Sequence, residues 1–293
     1  MEITCSIIIV NWKSIDYLTK CIKSIKVQTT CPYEIIVIDN DSGKEEQTAL
    51  QEIGNIHLIL NDKNAGFAAA NNQGFKVARG EFVFMLNPDT IILKKAIDKL
   101  IGFLENHENI FATGPKLFYS EKMDYHPSIK TFQTPFSQFY KMLPQSQRIR
   151  EYFRPYDPDK TQRVDGVWGA AIMFRKQVFE RIGLLDEQFF IYAEEIDFCK
   201  RMAMNNMPLY YYPEAQVIHY GGKSQKKSSE KKNKLLWTSQ TKYLKKYYSR
   251  KNILFHYCLL AVLIKLKIIF LRKRELIPAY QVIWDYIKCT DSV

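Results

Sequence analysis

Short runs of branched and aromatic apolar residues recur along the first ninety positions, and each stops at a polar side chain. Ser6-Ile7-Ile8-Ile9-Val10 ends at Asn11-Trp12, and Ile35-Ile36-Val37-Ile38 ends at Asp39-Asn40-Asp41-Ser42-Gly43. Ile56 to Leu60 ends at Asn61, and Phe82-Val83-Phe84-Met85-Leu86 ends at Asn87-Pro88-Asp89-Thr90. Runs of this length suit strands buried on both faces. Helical periodicity fills the gaps. Ile15, Leu18, Ile22 and Ile25 share one helical face, Lys44 to Ile53 reads as a helix, and a pattern of Ile92, Leu93, Ala96, Ile97 and Leu100 follows the fourth strand. Strands alternating with helices predict an α/β fold, a mostly parallel sheet flanked by helices with right-handed crossovers.

The polar endings carry the first functional expectation. Open α/β sheets bind ligands beyond the carboxyl ends of their strands. Asn11, Asp39, Asn61, Asn87 and Asp89 would line that edge, where a nucleotide would lie. Asn87 and Asp89, one residue apart on an extended backbone, would face the same way. Asp89 offers the hard oxygen that Mg²⁺ or Mn²⁺ takes beside a diphosphate; it serves equally well as a turn residue capping the next helix. Asp39 either accepts hydrogen bonds from a nucleobase or ribose or acts as a turn residue. In Asn64-Ala65-Gly66-Phe67-Ala68-Ala69-Ala70, Gly66 and the small residues after it let a helix approach the sheet closely. They also present N–H groups at the helix start, where a diphosphate can rest. Neither GxGxxG nor GxxxxGK[ST] occurs, so a dinucleotide fold and a P-loop are both unsupported.

Further along, Ile110 to Leu117 reads as a strand. Tyr119 to Asp159 has little period, many aromatics and prolines at 127, 135, 144, 155 and 158. It is either a variable region forming an acceptor groove or a plain surface excursion. Strand character returns from Val164 to Phe174, where Trp168 either stacks on a sugar ring or packs in the core. Glu194, Glu195 and Asp197 open a helix through Met202. Acids there suit the helix dipole, and they also suit a general base aimed into a cleft. Leu209 to Tyr212 and Gln216 to Ile218 lead to His219, and a lone histidine is more often structural than a ligand.

The charge is uneven. Of the formal +11, the stretch from Lys223 to Lys251 carries +10, with eleven Lys/Arg and a single acid, Glu230. The natural partner of such a segment is an anionic surface. It interleaves basic residues with Leu235, Leu236, Trp237, Tyr243, Leu244, Tyr247 and Tyr248, as an amphipathic helix does. Ile253 to Ile264 is apolar apart from His256 and shorter than the ~20 residues of a span. It is expected either to lie in a membrane interface, with lysines snorkelling, or to form a helical pair or homodimer contact. No recognisable nucleic-acid module accompanies the charge, so no nucleic-acid partner is expected. Six scattered cysteines without a CxxC pair fit free thiols in a reducing compartment. The N-terminal apolar run is too short for a signal peptide, and a cytoplasmic location is expected.

Taken together, the pieces resemble the family-2 glycosyltransferases of the GT-A fold, with its Rossmann-like sheet, and most of all their rhamnosyltransferase and galactofuranosyltransferase branch. The likeness runs from about Ile3 to Gly222. It rests on Ile-Val-Asn-Trp at 9–12, Ile-Asp-Asn at 38–40, Asn-Ala-Gly-Phe-Ala-Ala-Ala-Asn-Asn at 64–72 and Leu-Asn-Pro-Asp at 86–89. Trp-Gly-Ala-Ala at 168–171, Asp-Glu-x-Phe-Phe at 186–190, Glu-Glu-x-Asp at 194–197 and His219 follow in order. The resemblance implies a GT-A domain over 1–222, and the composition after it marks 223–293 as a basic helical extension. The resemblance also implies a nucleotide sugar held by Asn11, Asp39, Asn64, Gly66, Asn87 and Trp168, and a Mn²⁺ or Mg²⁺ ion held by Asp89 and His219. Glu195 takes the position of the base, with Glu194 as its rival, because this chain has Glu where the family usually has Asp. The implied activity is inverting transfer of a sugar, best rhamnose from dTDP-rhamnose, to a hydroxyl of a glycan or lipid-linked glycan. UDP-galactofuranose or another UDP-sugar is the alternative donor, and a non-catalytic nucleotide-sugar or glycan-binding scaffold is the alternative class. The implied location is peripheral, on the inner face of the plasma membrane.

Overall fold

The computed structural model describes residues 2–137, 156–221 and 229–288. The chain forms two compact units, one from 1–131, 156–190 and 194–225, the other from 132–155, 191–193 and 226–293. Part of the aromatic stretch expected to form an acceptor groove, 138–155, lies outside the described residues, as does the start of the basic segment at 222–228.

The first unit begins with β1 (Cys5–Asn11), α1 (Ile15–Gln28), β2 (Tyr33–Asp39), α2 (Lys44–Gln51), β3 (His57–Leu60), α3 (Phe67–Val77) and β4 (Phe82–Leu86). These strands pair in parallel in the order β3-β2-β1-β4. Every residue of β1 and β4 is buried, which is why both read as unbroken apolar runs. The register sets Asn11 opposite Asp39. Gly74 lets α3 lie close on the sheet, because a Cβ there would come within 2.6 Å of Ile8 Cγ2.

The unit continues with β5 (Thr90–Leu93), α4 (Ala96–Glu105), β6 (Ala112–Phe118), β7 (Tyr125–His126), β8 (Ile129–Lys130), β9 (Gln162–Val164), β10 (Gly166–Val167), β11 (Ala171–Arg175), α5 (Gln177–Ile182), α6 (Glu194–Met204) and β12 (Leu209–His219). Among the described residues the main sheet runs β3-β2-β1-β4-β11-β6-β12-β5. β11 runs against both β4 and β6, β12 runs with β6, and β5 runs against β12. The result is a mixed sheet, mostly parallel, of GT-A-like α/β architecture.

Three boundaries differ from the sequence expectation. The helix expected from Ile92 starts only at Ala96, because Thr90–Leu93 pairs with Gln216–His219. The β-branched residues at 90–92 favour that pairing, and Lys94 and Lys95, at φ 46° and 56°, turn the chain before the helix. The run from Val164 to Phe174 is broken at Trp168-Gly169-Ala170. Residues 209–219 form one strand, with an irregularity between Tyr212 and Gln216.

The second unit contains α7 (Ser229–Tyr247), α8 (Arg250–Phe270), a 3₁₀ turn (Arg274–Leu276) and α9 (Ile277–Lys288). Tyr243, Leu244, Ile253, Tyr257, Leu260, Ile264 and Ile283 form its buried interior. The hydroxyls of Thr241 and Tyr257, 2.8 Å apart, tie α7 to α8.

Candidate active site

β4 ends at Leu86, and Asn87-Pro88-Asp89 turns the chain into β5. The turn is closed by the Asn87 N–H donating to Ala170 O at 2.8 Å and by Thr90 Oγ1 donating to Asn87 O at 2.7 Å. Asn87 and Asp89 therefore sit in a turn and not on extended backbone, so strand alternation is not what brings them together. The β5–β12 ladder does so. It pairs Thr90 with His219, and the Tyr220 N–H donates to Asp89 O at 3.0 Å. Asp89 Oδ1 then lies 3.4 Å from His219 Nε2, and Asn87 Nδ2 lies 3.4 Å from the same nitrogen. Asp89 and His219 are both buried, and among the described residues Asn87 Oδ1 and His219 Nδ1 have no hydrogen-bond partner.

This pair fits a divalent cation. Two ligand atoms each ~2.1 Å from one ion stand roughly 3.0 Å apart at a right angle and roughly 3.4 Å apart at a tetrahedral angle. A carboxylate oxygen with a neutral imidazole suits Mn²⁺ well. Among the described residues no group of three or more His, Cys, Asp or Glu side chains is placed to hold an ion. The other coordination positions would then fall to water and to a diphosphate.

The residues expected at the nucleotide edge are held by one another. Asp39 Oδ1 accepts from Asn11 Nδ2 at 2.9 Å, and its Oδ2 accepts from the Ser42 N–H and from Gln47 Nε2, each at 3.1 Å. Asn11 also donates to Ser42 Oγ, so its amide serves to orient Asp39. Asn64 Oδ1 accepts from Asn40 Nδ2 and from the Gly66 N–H, both at 3.0 Å. Asn40 Oδ1 in turn accepts from Asn61 Nδ2 and from the Ala65 N–H. This amide lattice fixes the loop between β3 and α3.

The expectation that Gly66 opens a diphosphate cradle is corrected in part. The Phe67 N–H at the start of α3 donates to Phe190 O at 2.6 Å, so that donor is taken by the chain itself. Gly66 has φ +92°, and a Cβ there would sit 2.7 Å from Phe190 O, so the glycine is required by the approach of Phe190.

The other wall carries the acids. Glu194 and Glu195 open α6 and are both buried. Burial first, then the neighbouring Glu195, pushes the Glu194 carboxyl well above the usual carboxylate range, which favours its protonated form. Glu195 Oε1 is paired with Lys130 Nζ, while its Oε2 has no partner among the described residues. A side chain at 169 would crowd Glu195, since a Cβ on Gly169 would lie 3.2 Å from Glu195 Cγ. The third acid, Asp197, anchors the helix. Its Oδ2 accepts from Arg201 Nε at 3.0 Å, and the same guanidinium donates to Ile182 O and Leu184 O.

Trp168 links the two walls. It is 40% exposed, which removes the core alternative. Lys130 Nζ lies 4.2 Å from the centre of its ring, and His126 meets it edge-on at 5.1 Å. His126 is itself 5.2 Å from His219, ring to ring. Burial first, then His219, pushes the His126 imidazole down to about 4, so it stays neutral near neutral pH. His126 and Lys130 were missed by sequence reasoning. Both lie in the aperiodic stretch after Tyr119, on strands two residues long, where no spacing marks them.

Residues 6–183 match the model of the family described as glycosyl transferase family 2. The chain belongs to glycosyl transferase family 2. Glu194, Glu195 and His219 lie beyond the matched residues of this family 2 chain. It is 30% identical over 221 residues to the low-salt glycan biosynthesis hexosyltransferase Agl10 of Haloferax volcanii, across 73% of this chain and 66% of that protein. It is 26% identical over 196 residues to the dTDP-rhamnosyl transferase RfbF of Shigella flexneri, across 66% of this chain and 62% of that one. The family 2 chain thus spans just under two thirds of the length of these two relatives. Its fold is similar to that of GalNAc-T7, solved with UDP, GalNAc and Mn²⁺, with a TM-score of 0.57 at 17% identity over 74% of this chain and 43% of that one.

Proposed function

We propose that this family 2 protein is an inverting, metal-dependent glycosyltransferase that moves rhamnose from dTDP-rhamnose to a hydroxyl of a lipid-linked cell-surface glycan. It would act in the cytoplasm, at the inner face of the plasma membrane. The observation that carries the reading is the meeting of Asp89 and His219 at 3.4 Å, in the same unit as a buried Glu195 with an unpartnered Oε2. The family supports glycosyl transfer, and the relative named a dTDP-rhamnosyl transferase favours that donor.

Asp89 and His219 would hold Mn²⁺ or Mg²⁺, which supplies positive charge where negative charge gathers on the departing diphosphate. Asn87 Nδ2 lies 3.4 Å from the same His219 nitrogen and helps to fix the ring. Glu195 Oε2 takes the proton from the acceptor hydroxyl. The hydroxyl oxygen bonds to the anomeric carbon as the carbon–oxygen bond to the diphosphate breaks, its electron pair leaving with the diphosphate. One displacement inverts that carbon. Lys130, paired with Oε1, keeps the Glu195 carboxyl oriented, and the exposed Trp168 ring offers a face for a sugar.

A panel of nucleotide sugars tests the reading, with release of dTDP or UDP as the readout. Release from dTDP-rhamnose with Mn²⁺, lost in EDTA, is expected. Turnover of UDP-galactofuranose in its place would overturn the donor, and undiminished release in EDTA would overturn the metal.

A further inference from the structure

The exposed side of α8 carries a pattern that the catalytic unit does not use. Phe255, Leu259, Val262, Leu266 and Ile269 are all exposed, and they recur at alternating spacings of four and three. On a helix this spacing makes one continuous apolar stripe. Ile253, Tyr257, Leu260 and Ile264 occupy the opposite side and are buried within the same unit. The stripe is thus a second apolar face on a helix whose first is already packed.

We infer that this stripe docks the protein on an anionic phospholipid surface, with α8 lying flat in the interface. By length and composition alone, the 21 residues of α8 suffice to cross a membrane. Packing argues against it, since one side of the helix is committed to its own unit. The stripe itself, from Phe255 to Ile269, is roughly 21 Å long at ~1.5 Å per residue, short of the ~30 Å hydrocarbon core. Charge chooses between lipid and a second copy of the chain. Alternating four–three spacing would also suit a helix–helix seam. Yet α8 contains no Asp or Glu, Lys265 sits exposed on the stripe side, Arg250 and Lys251 open the helix, and Arg272-Lys273-Arg274 follows it. Residues 226–293 hold sixteen Lys/Arg against four Asp/Glu. Two copies would bring like charges together with little to offset them, whereas anionic headgroups neutralise them. Apolar side chains entering the acyl boundary beneath basic ones at headgroup level match what the helix displays.

The inference extends the proposed function by giving a lipid-linked acceptor its surface. Its test reads binding, not turnover, so the two fail separately. The full chain is sedimented with vesicles of phosphatidylcholine alone and of phosphatidylcholine mixed with phosphatidylglycerol. Binding to the mixed vesicles is expected to exceed binding to the neutral ones at least ~10-fold and to weaken with salt. The double variant Leu259→Asp/Val262→Asp changes only exposed positions. It is expected to lose at least ~10-fold in vesicle binding while keeping its circular dichroism and its dTDP release from a soluble acceptor assay. Equal pelleting of the variant and the unaltered chain would overturn the inference. So would an unaltered chain that is dimeric by analytical ultracentrifugation while the double variant is monomeric.

Discussion

Glu194 and Glu195 are adjacent, both acidic, both buried, and placed in different surroundings. Glu195 has Lys130 on one oxygen, and its second oxygen is buried without a partner among the described residues, which leaves it an acceptor for a proton. Burial first, then the neighbouring Glu195, raises the Glu194 carboxyl and favours its protonated form. Glu195→Gln is therefore expected to lower kcat at least ~10²-fold, and Glu194→Gln, which imitates the protonated form, to change it less than ~10-fold, measured at saturating donor. The same assignment has a consequence for stability. A carboxyl whose value is raised by folding stabilises fully below its unfolded value of about 4.3, and that contribution is lost as pH rises toward the raised value. Glu194→Gln should remove this loss. Between acid and neutral pH, the urea midpoint of the variant is expected to rise relative to that of the unaltered chain. In the sequence only the place in the Glu-Glu-x-Asp motif favours Glu195; the physical separation comes from Lys130, sixty-five positions upstream, and from the bare Cα of Gly169.

At the scale of elements, α6 was legible and β5 was not. Glu194 to Met204 follows an apolar rhythm with acids in the first turn, and local rules suffice to start a helix there. Ile92 and Leu93 begin a rhythm that also reads as helix, and only the arrival of β12 makes Thr90–Leu93 a strand. What anchors α6 was equally hidden. Arg201 ties Asp197 on its own helix to the carbonyls of Ile182 and Leu184 at the end of α5. The Asp197 side chain is fully buried and that of Arg201 is 19% exposed. Removing one partner of a buried pair costs about 3–5 kcal/mol, and partial exposure of Arg201 moves the expected loss for Arg201→Ala toward about 3 kcal/mol in urea unfolding. Because α6 carries Glu195, the same variant is expected to lower kcat with little change in nucleotide affinity.

At the scale of the molecule, the site divides by origin. The strands through β4 and the turn at 87–89 supply Asn11, Asp39, Asn87 and Asp89, and the segment from 126 to 219 supplies Lys130, Trp168, Glu195 and His219. The parallel half announced itself in the sequence because strands buried on both faces cannot hide their composition. The second half did not, since short strands, a mixed sheet direction and a 3.4 Å meeting of residues 89 and 219 depend on pairing partners far apart in the chain. His219 joins the halves at the site, meeting Asp89 from the first half while its ring neighbour His126 comes from the second. That division makes nucleotide binding and proton removal separable. By calorimetry with dTDP and Mn²⁺, Asp89→Asn and His219→Ala are expected to weaken nucleotide binding at least ~10-fold, since each removes one of the two proposed protein ligands for the ion. Glu195→Gln and Lys130→Met are expected to bind dTDP as the unaltered chain does, although both lose turnover. Equal weakening in all four variants would mean that the two walls form a single binding surface, and the acid would then have to be assigned to holding the donor and not to receiving the acceptor's proton.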